Sequence, residues 1–149
     1  MKEIILVILT AVVLVLASTA TANGATDLTA SVEIPKSCGI IINPETIDFE
    51  QVNTGGTSSE KTTDVTNQGS YMASVDIQGL DWSGTAGSFG VDKTLFGIAS
   101  SPTTPLASTT QSFANIGNGN TQKAYFKMSV PWGQSMGTYS QTITFTATC

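Results

Sequence analysis

The chain has 149 residues, with 6 basic and 11 acidic side chains, a net charge of −5 and no histidine. Nucleic acids and anionic membranes are both bound mainly through lysine and arginine, so this balance argues against either as a partner. Without histidine, the chain cannot form a Ser-His-Asp or Cys-His nucleophile, and it cannot form a zinc site that contains histidine. We therefore expect a protein that is not an enzyme.

The N-terminus has the pattern of a secretory signal peptide. A charged start is followed by an apolar run over residues 4–17 and then by the small residues Ala20-Thr21-Ala22. An apolar run of about 14 residues is shorter than the roughly 17 to 25 that a membrane-spanning helix needs. We expect residues 1–22 to be removed on export, leaving residues 23–149 as one extracellular domain with no membrane segment. A retained N-terminal anchor is the alternative.

The first strand-like segment directly follows this leader. Four apolar residues that alternate with polar ones share one of its faces: Leu28, Ala30, Val32 and Ile34. Such a segment can be the first strand of its own domain. It can also complete the sheet of a neighbouring copy, and head-to-tail donation of this kind builds a filament because it does not close. Both interpretations of residues 23–34 remain open from the sequence.

Period-two alternation and turn signals continue to the end of the chain. Residues 122–130 and 138–149 alternate most regularly between apolar and polar side chains. The other candidate strands are residues 39–42, 46–52, 60–67, 71–78, 91–99 and 111–116. This pattern predicts an all-β fold, an immunoglobulin-like antiparallel β-sandwich of about seven to nine strands, with a barrel as the alternative.

The two cysteines lie near the two ends of the predicted domain. Cys38 comes just after the first strand-like segment, and Cys149 is the last residue of the sequence. Both have the parity of inward-facing positions, and exported proteins retain disulfides, so we expect an intramolecular bridge between them. In the chain-entropy model, closing a loop of this length stabilises the fold by about 4 to 5 kcal/mol. An intermolecular bridge or a thioether-linked lipid is the alternative.

Candidate ligand sites rest on few residues. Asp76, Asp81 and Asp92 lie in a Gly-rich stretch, where carboxylate and carbonyl oxygens could hold a structural calcium ion, although an ordinary acidic loop is the simpler interpretation. No other cofactor is expected. Trp132 lies at a turn, where an exposed ring could stack on a glycan, whereas Trp82 has the parity of a core residue. A monomeric adhesin or glycan-binding module is therefore the alternative to a structural role.

Several stretches resemble secreted prokaryotic surface proteins. Residues 29–40 and 47–52 are similar to the opening of fimbrial and spore-coat-U-like sandwiches, although fimbrial subunits place their second cysteine soon after the first. Residues 55–69 resemble camelysin-type biofilm-fibre subunits and archaeal bundling pilins, and residues 130–145 resemble the final hairpin of such domains. The resemblance implies a self-associating extracellular structural protein without catalytic residues. We expect it to form a surface filament or matrix by donor-strand complementation.

Overall fold

The computed structural model describes residues 30–149, so the predicted leader over residues 1–22 lies outside the described range. The strands are β1 (Ile40–Asn43), β2 (Lys61–Asn67), β3 (Ala73–Gly79), β4 (Trp82–Gly84), β5 (Gly87–Phe89), β6 (Thr94–Gly97), β7 (Thr104–Pro105), β8 (Gln111–Ile116), β9 (Thr121–Met128), β10 (Tyr139–Ser140) and β11 (Ile143–Thr148). A short 3₁₀ helix, Val91–Lys93, precedes β6. Within the described residues, no helix is long and apolar enough to cross a membrane.

The strands form two larger antiparallel sheets and one small one. The first sheet has the order β1-β2-β9-β6-β7, the second has the order β11-β3-β8, and β10-β4-β5 form the small sheet. The first four strands of the first sheet correspond to the A-B-E-D sheet of an immunoglobulin-like sandwich. In the second sheet, β11 and β3 take the adjacent positions of strands F and C. The predicted immunoglobulin-like β-sandwich is confirmed, with eleven strands in residues 30–149 instead of the predicted seven to nine.

The hydrophobic core lies between the two larger sheets. Phe126 on β9 is fully buried, and its ring meets Phe145 of β11 edge to face, with the ring centroids 6.5 Å apart. Val65 on β2 and both Val75 and Ile77 on β3 are also buried, at alternate positions along their strands. Because each large apolar side chain stabilises the fold by about 1.5 to 3 kcal/mol when buried, this alternation fixes the register of the central strands.

The two flanks of the sandwich differ. On one flank, Leu106 follows β7 and fills the gap between the sheets, and its N–H donates to the carbonyl oxygen of Thr94 at 2.8 Å. Pro105 in β7 has no N–H to offer to a further strand, so the first sheet ends there. On the opposite flank, β1 and β11 are the edge strands of the two sheets. Within residues 30–149, no strand pairs with the free edge of either.

A disulfide joins these two edge strands at one end. Cys38 precedes β1, Cys149 follows β11, and their Cα atoms are 5.8 Å apart. The predicted bridge is confirmed, but both cysteines are exposed instead of facing inward. We call this end of the sandwich the disulfide end. The opposite end, which carries the segments 44–60 and 129–142, is the loop end.

Asn67 organises the turns at the disulfide end. Its side chain is fully buried, and its Nδ2 donates to the carbonyl oxygens of Tyr71 and Ile116, each at 2.8 Å. Its Oδ1 accepts the N–H of Gly69, also at 2.8 Å. One side chain therefore provides partners for backbone groups of two turns, which would otherwise be costly to bury.

Several predicted strands differ in the structure, among them residues 91–99, of which 91–93 form the 3₁₀ helix and only Thr94–Gly97 form a strand. Residues 46–52 form no strand, because the Asp48 carboxylate accepts the N–H of Glu50 at 2.7 Å and Glu50 has a φ of 61°, which turns the chain. Phe49 still packs into the core from this segment. The predicted strand over residues 138–149 is interrupted between β10 and β11, where the Gln141 amide donates to the carbonyl oxygen of Leu80 at 2.7 Å.

Candidate functional site

An open groove separates β1 from β11. Ile42 on β1 and both Ile143 and Phe145 on β11 line its walls, Phe126 and Trp82 line its floor, and its volume is about 260 Å³. The apolar residues of β11 are only half-buried, although they alternate as residues of a covered face do. The core is therefore incompletely covered along this flank.

A buried chain of hydrogen bonds positions one wall of the groove. The indole Nε1 of Trp82 donates to Thr94 Oγ1 at 2.9 Å, and that hydroxyl donates to Gln141 Oε1 at 2.7 Å. Trp82 also stacks on Phe89, with the ring centroids 5.5 Å apart. Because Gln141 lies in the break between β10 and β11, these contacts hold the loop end of the groove in place.

The groove combines apolar and polar residues. Besides the apolar side chains of its walls and floor, its lining includes Glu45, Thr46, Thr63, Ser140 and Gln141. Along its two sides, β1 and β11 each have a free edge with which no strand within residues 30–149 pairs.

The predicted self-assembly strand is exposed where the structure describes it. We call residues 28–34 the arm and residues 35–149 the body. Val32 is 86% exposed and Ile34 is 75% exposed, and residues 30–34, including Ala30, belong to no strand. Leu28 lies outside the described residues. The described part of the arm therefore contributes no strand to the domain's own sheets.

The chain enters the body at the disulfide end through fixed contacts. The Ser70 hydroxyl donates to the carbonyl oxygen of Pro35 at 2.8 Å, and the Ser70 N–H donates to the Ser37 hydroxyl at 3.0 Å. The Lys36 ammonium lies 4.3 Å from the ring centroid of Tyr71, which is cation–π geometry. Together with the adjacent disulfide, these contacts anchor the start of the body.

The three candidate calcium ligands do not come together. Asp76 lies on β3, whereas the Asp81 carboxylate accepts the N–H of Val91 at 2.8 Å. Asp92 forms an ion pair with Lys93 at 2.6 Å. In residues 30–149, no group of three or more histidine, cysteine, aspartate or glutamate side chains is placed to hold a metal ion.

Trp132 is 84% exposed on the loop between β9 and β10, and Met136 on the same loop is 95% exposed. The indole of Trp132 lies directly against Gly55, whose φ of 73° and lack of space for a Cβ both require glycine. A cleft of about 890 Å³ beside this loop is lined in part by Met136 and Asp48. Trp82, by contrast, is buried as predicted. Met136 has no signal in the sequence, because a lone methionine in a loop forms no pattern.

Comparisons with known proteins concern the fold. No family model matches the chain, and no curated protein matches it. It is similar in structure to a family 123 glycoside hydrolase from Clostridium perfringens, with 14% identity and a TM-score of 0.48 over 75% of this chain and 24% of that one. It is also similar to the ASH/PapD-like domain of human CEP192, with 18% identity and a TM-score of 0.41 over 83% of this chain and 81% of that one. The chain thus spans about a quarter of the hydrolase, and neither likeness carries an activity to it.

Proposed function

We propose that the protein is an exported structural subunit that assembles head to tail by donating its arm to the groove of a neighbouring copy. The observation that carries this proposal is the exposure of the apolar residues Val32 and Ile34, together with a groove that no strand within residues 30–149 covers. A strand added beside β11 would take the position of strand G, next to strand F, in an immunoglobulin-like sandwich. It would cover the half-buried residues of β11.

The energetics favour such an insertion. Burying the side chains of Val32 and Ile34 contributes about 3 to 6 kcal/mol in total, at 1.5 to 3 kcal/mol for each large apolar side chain. Each main-chain hydrogen bond to an edge strand adds about 0.5 to 1.5 kcal/mol. Leu28 and Ala30 share the sequence parity of Val32 and Ile34, so in an extended arm they would add to the buried area. These gains oppose the loss of translational and rotational freedom on association.

The setting we propose is outside the cell. The disulfide is compatible with an oxidising compartment, where such bonds persist, and the predicted leader over residues 1–22 would direct export. The biofilm-fibre subunits and bundling pilins that the sequence resembles suggest a surface filament or matrix as the product. In this proposal the protein has no catalytic role and requires no cofactor.

Electron microscopy of oxidised residues 23–149 tests the proposal. We expect filaments from the unchanged protein and none from Val32→Asp, because the carboxylate would have to be buried in an apolar groove. Ser31→Asp is the matched control, since it introduces the same charge on the opposite face of the arm and leaves assembly intact. Compact monomers from all three proteins would rule out strand donation. Monomers that bind glycans through Trp132 would favour the glycan-binding alternative.

Binding in trans gives a second readout. We expect the body to fold independently, because every buried core residue within the described range lies between Phe49 and Met128. A synthetic peptide of residues 24–36 should therefore bind to the isolated body, and its Val32→Asp version should not. Isothermal titration calorimetry measures both affinities.

A further inference from the structure

Exposed apolar pairs lie at both ends of the sandwich. Trp132 and Met136 project from the loop end. At the disulfide end, Tyr71 is 46% exposed and its neighbour Met72 is 55% exposed, beside the point where the chain enters the body. Isolated apolar residues on a surface need no explanation. Apolar pairs at opposite ends of one molecule, however, are what a head-to-tail contact between copies requires.

The disulfide determines which ends would meet during strand donation. A strand inserted between two others needs about 9 to 10 Å, because neighbouring strands are spaced by about 4.7 to 4.9 Å. The Cα atoms of Cys38 and Cys149 are only 5.8 Å apart, so the groove is closed at the disulfide end. The groove lining continues into the loop-end segments, with Pro44 and Glu45 on one side and Ser140 and Gln141 on the other, so we place the body of the donor beyond the loop end of the acceptor. Since each arm leaves its own body at the disulfide end, the disulfide end of the donor faces the loop end of the acceptor.

The charges of these two ends are complementary. Asp48 lines the same cleft as Met136, and Glu45 lines the groove at the loop end. Among the described residues, neither carboxylate forms an ion pair with a lysine. At the disulfide end, Lys36 lies over the ring of Tyr71. A cation beside Tyr71 and a carboxylate in the cleft of Met136 favour the same docking arrangement.

We propose that Trp132 and Met136 of one copy pack against Tyr71 and Met72 of the next copy, with Lys36 facing the acidic loop end. This contact rests on the proposed strand donation and adds a second interface to it. The arm provides the connection between subunits, and the end-to-end contact fixes the angle between their bodies.

Two double variants of residues 23–149 test the contact, W132A/M136A and Y71A/M72A. Each should raise the protein concentration needed for filament formation about tenfold or more, as expected when aromatic residues at an interface are truncated. Neither should change the affinity of the body for the arm peptide, because the altered residues lie outside the groove lining. Ile98→Ala is the control, since Ile98 is exposed to a similar degree but lies beside the opposite flank. Pelleting assays and calorimetry provide the two readouts.

A cysteine pair tests the geometry directly. Met72→Cys with Met136→Cys in one chain should give a covalent ladder on a non-reducing gel after filaments are oxidised. Ile98→Cys with Met136→Cys should give none.

The outcomes separate this contact from strand donation. Unchanged assembly by both double variants, or equal ladders from both cysteine pairs, overturns the end-to-end contact while arm-peptide binding preserves strand donation. If the unchanged protein forms no filaments and its body binds no arm peptide, both proposals fail. Loss of glycan binding by W132A/M136A with unchanged assembly assigns the Trp132 surface to a glycan instead.

Discussion

Trp82 on β4 donates its indole N–H to the hydroxyl of Thr94 on β6, 2.9 Å away, in a buried contact between the small sheet and the first sheet. The same hydroxyl donates to Gln141, which precedes β11. One threonine of the first sheet therefore contacts both the small sheet and the segment that leads into β11. The Thr94 hydroxyl accepts a hydrogen bond from Trp82 and donates one to Gln141.

Replacing this hydroxyl tests how much the connection contributes. We expect Thr94→Val to lower the free energy of unfolding by about 1 to 3 kcal/mol, because it leaves the indole N–H and an amide oxygen without partners. Urea denaturation measures the change. In a double-mutant cycle, Trp82→Phe should make the Thr94→Val change less costly, and a cycle with no coupling between the two residues would contradict this role.

Asn67 gives a second stability prediction. Asn67→Ala removes three hydrogen bonds to buried backbone groups, so we expect a loss of about 2 to 4 kcal/mol in the free energy of unfolding. Asn118→Ala in the neighbouring exposed turn is the control and should change stability by less than about 0.5 kcal/mol. Equal losses of stability from the two substitutions would show that the hydrogen bonds of the Asn67 side chain contribute no more than an exposed turn residue does.

The disulfide should matter for both stability and binding. It closes a loop with a sequence separation of 111 residues, so replacing both cysteines with serine should cost about 4 to 5 kcal/mol in the chain-entropy model. Arm-peptide affinity should also fall, because the bridge holds the edges of the groove together. Reduction of the unchanged protein should reproduce both effects, since the cysteines are exposed. Full peptide affinity in the reduced protein would show that the bridge does not shape the groove.

One ion pair predicts a change in stability at high pH. Lys123 donates to the Asp64 carboxylate at 2.6 Å, and this hydrogen bond raises the pKa of Lys123 above its ordinary value of 10.5. Because the pKa is higher in the folded state, the stabilisation is fully present below 10.5 and is lost as pH rises through the folded pKa. Urea denaturation below pH 10.5 and above the folded pKa of Lys123 measures the change in the free energy of unfolding. Asp64→Asn should remove this part of the pH dependence, whereas Lys127→Gln should not.

Local patterns predicted several strands well. The predicted strand over residues 111–116 coincides with β8, and residues 60–67 and 122–130 come within two residues of β2 and β9 at each end. Burial alternates along β2 and β9, whereas an irregularity in the pairing of β3 with β8 interrupts the alternation in β8. The β4–β5 hairpin was missed because its strands have only three residues each in a Gly-rich stretch.

The groove could not be predicted in the same way. The alternation in residues 143–148 is the same for a covered strand and for an edge strand with an open flank. Only the order of the strands places β1 and β11 opposite each other without a strand between them in the described range. Strand order depends on long-range pairing, for which a single sequence gives no direct signal.

Pro105 has a consequence for the shape of any assembly. A copy that approached the edge of the first sheet at β7 would find a proline without an N–H, above a gap already filled by Leu106, which disfavours strand addition to that edge. If arms enter only the groove between β1 and β11, each body has one donor and one acceptor, and the polymer grows as an unbranched line with two different ends. Any thickening into bundles would depend on the outer faces of the sheets, including the exposed threonine row of β11 at Thr144, Thr146 and Thr148.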